Sequence, residues 1–241
     1  MSSQHPLVRP VRPRTARLCF AGAAASVALG IGMAAYHYPD GFDWAYTVIS
    51  RLASNRRNPD GAPWLAGSFL LAVVLASFTV GHLRHALART GGSPRIPILG
   101  LWACLVAGAV LGIEGLFAID LAPLGRKAHE AVAIVAFAGA YVGVVGLQLH
   151  RVWRLGGSIV PALLVVLPLL AVGVTQILLF FDQRDLGWVD TEWREMGIPV
   201  YLSFAFWQWM AVGFLALGYG HALVSAGRDS SPPRDLDVDR G

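Results

Sequence analysis

The sequence predicts an all-α fold, a polytopic transmembrane bundle of six helices with the N- and C-termini in the cytoplasm. Three observations predict it: the composition, six apolar runs of membrane-spanning length, and the distribution of arginine. Of the 241 residues, 55% are hydrophobic and 14% charged, with a mean hydropathy of +0.55. That is too apolar for a soluble domain of this length. The net charge of +4 invites a nucleic-acid reading, but the basic residues fall in short gaps between apolar runs instead of along one face, so nucleic-acid binding is rejected. Cys19 and Cys104 both lie in apolar segments. Their spacing indicates neither a disulfide framework nor a zinc site.

Residues 1–16 are rich in proline and arginine and read as a disordered cytoplasmic tail. Residues 17–225 form the transmembrane domain, and 226–241 a second disordered tail. The first span, Leu18 to Tyr36, is too long for a signal-peptide core and close to the roughly 20 residues that cross a bilayer. The following loop contains Trp44, Val48 and Leu52 at helical spacing, which predicts a short interfacial helix opened by Asp40 or Asp43. The NPDG segment at 58–61 then turns the chain, and Pro63 suits the first turn of the next helix.

Further spans are expected at Trp64–Leu83, Ile96–Ile119, His129–Leu149, Ser158–Phe181 and Ile198–Val224. Pro168 lies inside the fifth, where a kink is expected unless neighbours re-satisfy the carbonyl it frees. The connector from Asp182 to Gly197 is acidic and carries Trp188 and Trp193, a composition suited to the headgroup layer. Nine arginines lie before or between spans on the side of the N-terminus, against seven basic residues, mixed with acids, on the other. This bias places both termini in the cytoplasm; the expected location is the plasma membrane.

Glu114 is the one carboxylate well inside an apolar run. Such residues usually face a bundle interior and mark functional sites. Six residues before Asp120, it is expected roughly 9 Å inside the outer boundary. Gly108 with Gly112, and Gly139 with Gly143, form GxxxG pairs that predict close packing of the third and fourth spans against each other. Glu114 is about 140° from the Gly108/Gly112 face on a helical wheel, so its expected partners lie on the fifth or sixth span, Gln176 first among them. Ser68, Thr175, Tyr201 and Ser203 lie at a comparable depth and are expected to converge with it. The plain alternative is a protonated acid hydrogen-bonded to one neighbour.

His129 opens the fourth span and is placed with Ser50 and the NPDG turn at the rim. His82 and His85 read as headgroup contacts, no metal ligand set being apparent. Gln208, between Trp207 and Trp209, reads as interhelical glue. No GxSxG, HExxH or phosphate loop occurs, which leaves the case for an enzyme weak and implies no cofactor.

Two stretches, YTVISRLASNRRNPDGAPWLAGSFLL and GLFAIDLAPLGRKAHEAVAIVAF, resemble a bacterial six-span membrane family of unknown function. That family is distantly similar to the eukaryotic group of DRAM autophagy modulators and GPI-anchor lipid-remodelling proteins. The matching positions are Ser50, Leu52, Asn58, Pro59 and His129. Where the eukaryotic members carry an acid after the serine, this chain has Arg51. The resemblance implies a six-helix membrane protein connected to lipids.

The resulting expectation is a protein whose partner is the lipid bilayer. It binds a lipid or small amphiphile in an outer-leaflet polar pocket formed by Glu114, His129, Ser50, Gln176 and Asn58 and closed by the first and third outer loops. The competing readings are an intramembrane hydrolase or transferase acting on lipid, a proton-coupled transporter using Glu114, and a structural membrane subunit. Nothing in the sequence indicates an oligomeric state.

Overall fold

In the computed structural model, residues 11–88, 94–119, 128–183 and 197–229 are described. Six long helices carry the fold: α1 (Pro13–Tyr36), α3 (Ala62–Ala88), α4 (Arg95–Phe117), α5 (Ala128–Leu155), α6 (Val160–Gln183) and α7 (Phe204–Asp229). A single turn, α2 (Ile49–Leu52), and a 3-10 turn at Val200–Leu202 interrupt the connections. All six long helices are apolar and long enough to cross a membrane, as a multi-pass membrane protein requires. The interfacial helix expected from Trp44 shrinks to α2. Asp43 does initiate structure, but its carboxylate accepts from the Ala45 amide in a turn, and Trp44 packs sideways on Phe42 and Trp209.

Both ends of the chain extend the regular structure. The first helix begins at Pro13, inside the stretch expected to be a tail, because proline at the first helical position gives up no intrahelical bond. The last helix runs on to Asp229. Residues 1–10, the connections at 89–93, 120–127 and 184–196, and the tail from 230 lie outside the described residues. The readings placed on Asp120, Trp188 and Trp193 fall there.

The helices run up and down between two faces, here the terminal face, where α1 begins and α7 ends, and the distal face, which carries residues 37–61. Neighbours pack through small residues. In α4, Gly112 lies against Leu70 and Ala66 of α3, where an added Cβ would come within 2.8 Å of Leu70 Cγ, and Gly108 faces Val73. In α5, a Cβ on Gly139 would sit 2.6 Å from the Gly100 carbonyl oxygen, one on Gly143 2.5 Å from Leu101, and one on Gly146 2.6 Å from Pro97. The two glycine pairs therefore do not face each other. The Gly108/Gly112 face of the third span belongs to the second, while the fourth span's glycines meet a different stripe, centred on Gly100.

Burial is uneven along the bundle. The main apolar core, with Val80, Leu83, Leu101, Val144, Leu147, Val165 and Leu223, occupies the terminal half. At the distal face a smaller cluster of Ala34, Leu52 and Leu65 joins α1, α2 and α3, with Trp209 against it. The buried residues of α5 all lie between Gly139 and Gln148, so its distal third is packed far less tightly than its middle. Pro168 is fully buried within a continuous α6.

Gly139→Ala forces a methyl group onto backbone that cannot withdraw, so a loss of about 1–3 kcal/mol is expected in detergent-solubilised unfolding. Gly213→Ala, with nothing within 4 Å of its Cβ position, serves as the neutral comparison. Equal stabilities for the two would contradict the seam.

Candidate functional site

The helix carrying Glu114 stops earlier than its hydropathy suggests. Ala118 takes a left-handed conformation (φ 50°), and the Ile119 amide bonds back to the Glu114 carbonyl at 3.0 Å, closing the C-terminus of α4. Glu114 is thereby in the last turn, about 4.5 Å from the helix end and not the 9 Å expected. Its side chain is 17% exposed.

The partner of the acid is His129. Its Nδ1 lies 2.7 Å from Glu114 Oε2, which corrects the expectation that helical phase separates the two. The phase itself holds, but the partner assigned to each face does not. Glu114 is roughly 40° around the helix from Gly100, on the stripe that meets α5. The register of that seam then fixes the contact: from Pro97 opposite Gly146, to Cys104 opposite Gly139, to Glu114 opposite His129, each step up α4 is matched by an equal step down α5.

The electrostatics suit a paired acid. A carboxylate is disfavoured in the last turn of its own helix and favoured beside the first turn of another, and Glu114 reaches from the first position to the second. Whichever of the two carries the proton of this bond, the contact orients the imidazole, and with the carboxylate as acceptor it is Nδ1–H that donates. The ring is 43% exposed, and its Nε2 meets no hydrogen-bonding group among the described residues. The pair is a rim dyad with one nitrogen presented outward.

The other expected site residues fall elsewhere. Asn58 is fully buried and structural: Nδ2 donates to the carbonyls of Ala34 at 2.9 Å and Leu52 at 3.0 Å, and its own carbonyl receives the Ala62 amide that starts α3. Ser50 is exposed on α2, and no hydrogen bond joins it to the dyad. Gln176 is exposed on α6, a helix that packs chiefly on α7 and α5, so it is not the acid's partner. Nor do the polar groups of similar depth converge. Ser68 donates to Leu65, Thr175 to Val172 and Ser203 to Ala45, each serving backbone near its own element or the distal loop.

The distal loop is itself a strap. At one side Gln208 Oε1 accepts from the Ile49 amide at 3.0 Å, Trp209 Nε1 donates to Thr47 at 3.2 Å and Tyr46 donates to the Ile198 carbonyl at 2.6 Å. At the other, Asn55 Nδ2 donates to the Gly115 carbonyl at 2.9 Å, one residue from Glu114. The loop thus runs from the start of α7 across the distal face to the end of α4. Gln208 thus joins α7 to the single turn α2 of this loop and not to a neighbouring long helix. Asn55 escaped the sequence reading because one loop asparagine among several has no spacing signal. His82, expected at the headgroups, is buried, with Nδ1 2.8 Å from the Val11 carbonyl.

No group of three histidine, cysteine or acidic side chains able to hold a metal occurs among the described residues. Neither a family model, nor a curated protein, nor a solved structure matches the chain.

Two measurements check this geometry. A double-mutant cycle on Glu114→Gln and His129→Ala should give a coupling of about 0.5–1 kcal/mol, small because the imidazole is partly solvated; strict additivity would mean that the contact does not form. Asn58→Ala leaves two carbonyls without a donor and should lower stability by about 1–3 kcal/mol. A wild-type melting curve would contradict that role.

Proposed function

We propose that the protein is a plasma-membrane protein with both termini in the cytoplasm, and that its distal face, turned outward, binds a lipid or small amphiphile at the Glu114–His129 dyad. The observation that carries this reading is the dyad itself: an oriented imidazole and a carboxylate held 2.7 Å apart at the mouth of the α4–α5 seam. Together they offer an acceptor and a donor or acceptor to a polar headgroup. The loose distal third of α5 and the strap over the face supply apolar surface for a chain beneath that headgroup. The likeness of the Ser50–Pro59 and His129 segments to a lipid-connected membrane family points the same way. Within this reading Asn58 shapes the strap, Ser50 contributes from its exposed position on α2, and Gln176 has no assigned contact.

The same dyad favours one second reading. An imidazole whose Nδ1–H is held by a carboxylate presents Nε2 as a general base, an arrangement that suits an intramembrane hydrolase or transferase. A proton-coupled transporter would instead need Glu114 to change protonation during transport.

Native mass spectrometry of the detergent-purified chain tests the binding reading. Co-purifying or added phospholipid should remain bound to the wild type and be retained about tenfold less by Glu114→Gln and by His129→Ala, the loss expected for one charge-assisted contact. Undiminished retention in both folded variants would refute it. Turnover of the bound lipid, lost in His129→Ala, would move the conclusion to the enzyme. Proteoliposome uptake that depends on pH only while Glu114 is present would move it to the transporter.

A further inference from the structure

At the terminal face α5 and α7 are joined by a short chain of polar side chains. Gln148 is 1% exposed. Its Nε2 donates to the Gly218 carbonyl at 2.7 Å, and its Oε1 lies 3.1 Å from His221 Nδ1. The first bond fixes the amide. With the nitrogen committed to a carbonyl, the oxygen faces the imidazole, and an amide oxygen only accepts. His221 Nδ1 must therefore carry hydrogen.

The same nitrogen lies 3.3 Å from Nη1 of Arg151. Arginine has five N–H donors and no acceptor, and a protonated Nδ1 has no lone pair to give it. The Arg151–His221 contact is donor against donor. The shorter distance to Gln148, 3.1 Å against 3.3 Å, decides which of these two Nδ1 serves. Arg151 Nε is also shielded from solvent and has no hydrogen-bond partner. A guanidinium whose shielded Nε lacks an acceptor is costly unless an anion completes it, and its exposed Nη1, which faces a donor, is free to join the same anion.

The geometry points to an anion site between α5 and α7 at the terminal face, in which Arg151 binds phosphate oxygens, either of a phospholipid headgroup or of free phosphate. The planar fork of arginine matches phosphate bidentately, which a lysine in its place would not do. Three more arginines, Arg84, Arg95 and Arg154, are exposed at the same face and raise the local concentration of anions. The site is separate from the Glu114–His129 dyad at the opposite face and depends only on the six-span architecture.

The test is thermal unfolding of the detergent-purified full chain with four additions: phosphatidylglycerol, a phosphate-free diglycosyl diacylglycerol, potassium phosphate, and potassium chloride at matched ionic strength. Phosphatidylglycerol is expected to raise the melting temperature above the glycolipid, with apparent affinity about tenfold weaker in Arg151→Gln and unchanged in Arg56→Gln, at the distal face. A rise with potassium phosphate equal to that with phosphatidylglycerol assigns the site to free phosphate; a rise with the lipid alone assigns it to a headgroup. Equal responses of wild type and Arg151→Gln, or equal stabilisation by the glycolipid, would overturn the proposal. Should Arg151→Gln fail to fold, Arg151→Lys keeps the charge without the fork, and an unchanged response there overturns it as well.

Discussion

The close approach of α4 and α5 is the constraint from which the rest of the site follows. In hydrocarbon there is no hydrophobic force between helices, so association depends on shape, and shape is best served where side chains are absent. Gly100, Gly139 and Gly143 let two backbones meet, and once they meet the register along the whole hairpin is fixed. Glu114 and His129 are far from those glycines, yet their pairing is decided by them. A single polar contact at a solvated rim contributes too little to align two helices of this length. The alignment comes from packing, and the dyad is its consequence.

The distal strap follows a different logic. Hydrocarbon offers loop backbone no hydrogen bond, and side chains of α7 and of the loop itself supply or receive what it needs. Gln208 takes the Ile49 amide, Trp209 gives to Thr47, and Asn58 gathers the Ala34 and Leu52 carbonyls. Phe42 and Trp44 then cover Trp209 in edge-to-face contacts. Residues that read as binding groups or interhelical glue are thus occupied in keeping polar backbone satisfied at the edge of the membrane.

The six helices were legible because membrane-spanning length and apolar composition are properties of contiguous sequence. The partners of each face were not. The wheel places Glu114 correctly away from Gly108 and Gly112, but a GxxxG pair does not say which neighbour it meets, and here it meets α3. Nor does a lone Gly100 advertise the seam it makes. Helix ends misled in the same way: hydropathy continues through Ala118 and Ile119, while the left-handed turn at Ala118 ends α4 sooner and moves Glu114 toward the rim. Asn58 and Ser50 looked alike in sequence, as polar residues of one loop. Only the packing of residues 34, 52 and 61 separates the buried asparagine from the exposed serine.

The matched spacing along α4 and α5 also governs how the chain tolerates changes in length. Adding residues to the connection between the two helices leaves the glycine seam where it is, and so leaves the acid opposite the imidazole. Deleting one residue from α4 between Cys104 and Glu114 rotates everything beyond it by about 100° and draws it back by about 1.5 Å. Glu114 would then turn off the stripe that meets α5, and no adjustment of the loop could restore it. The hairpin behaves as a ruler whose graduations are set at one end and read at the other.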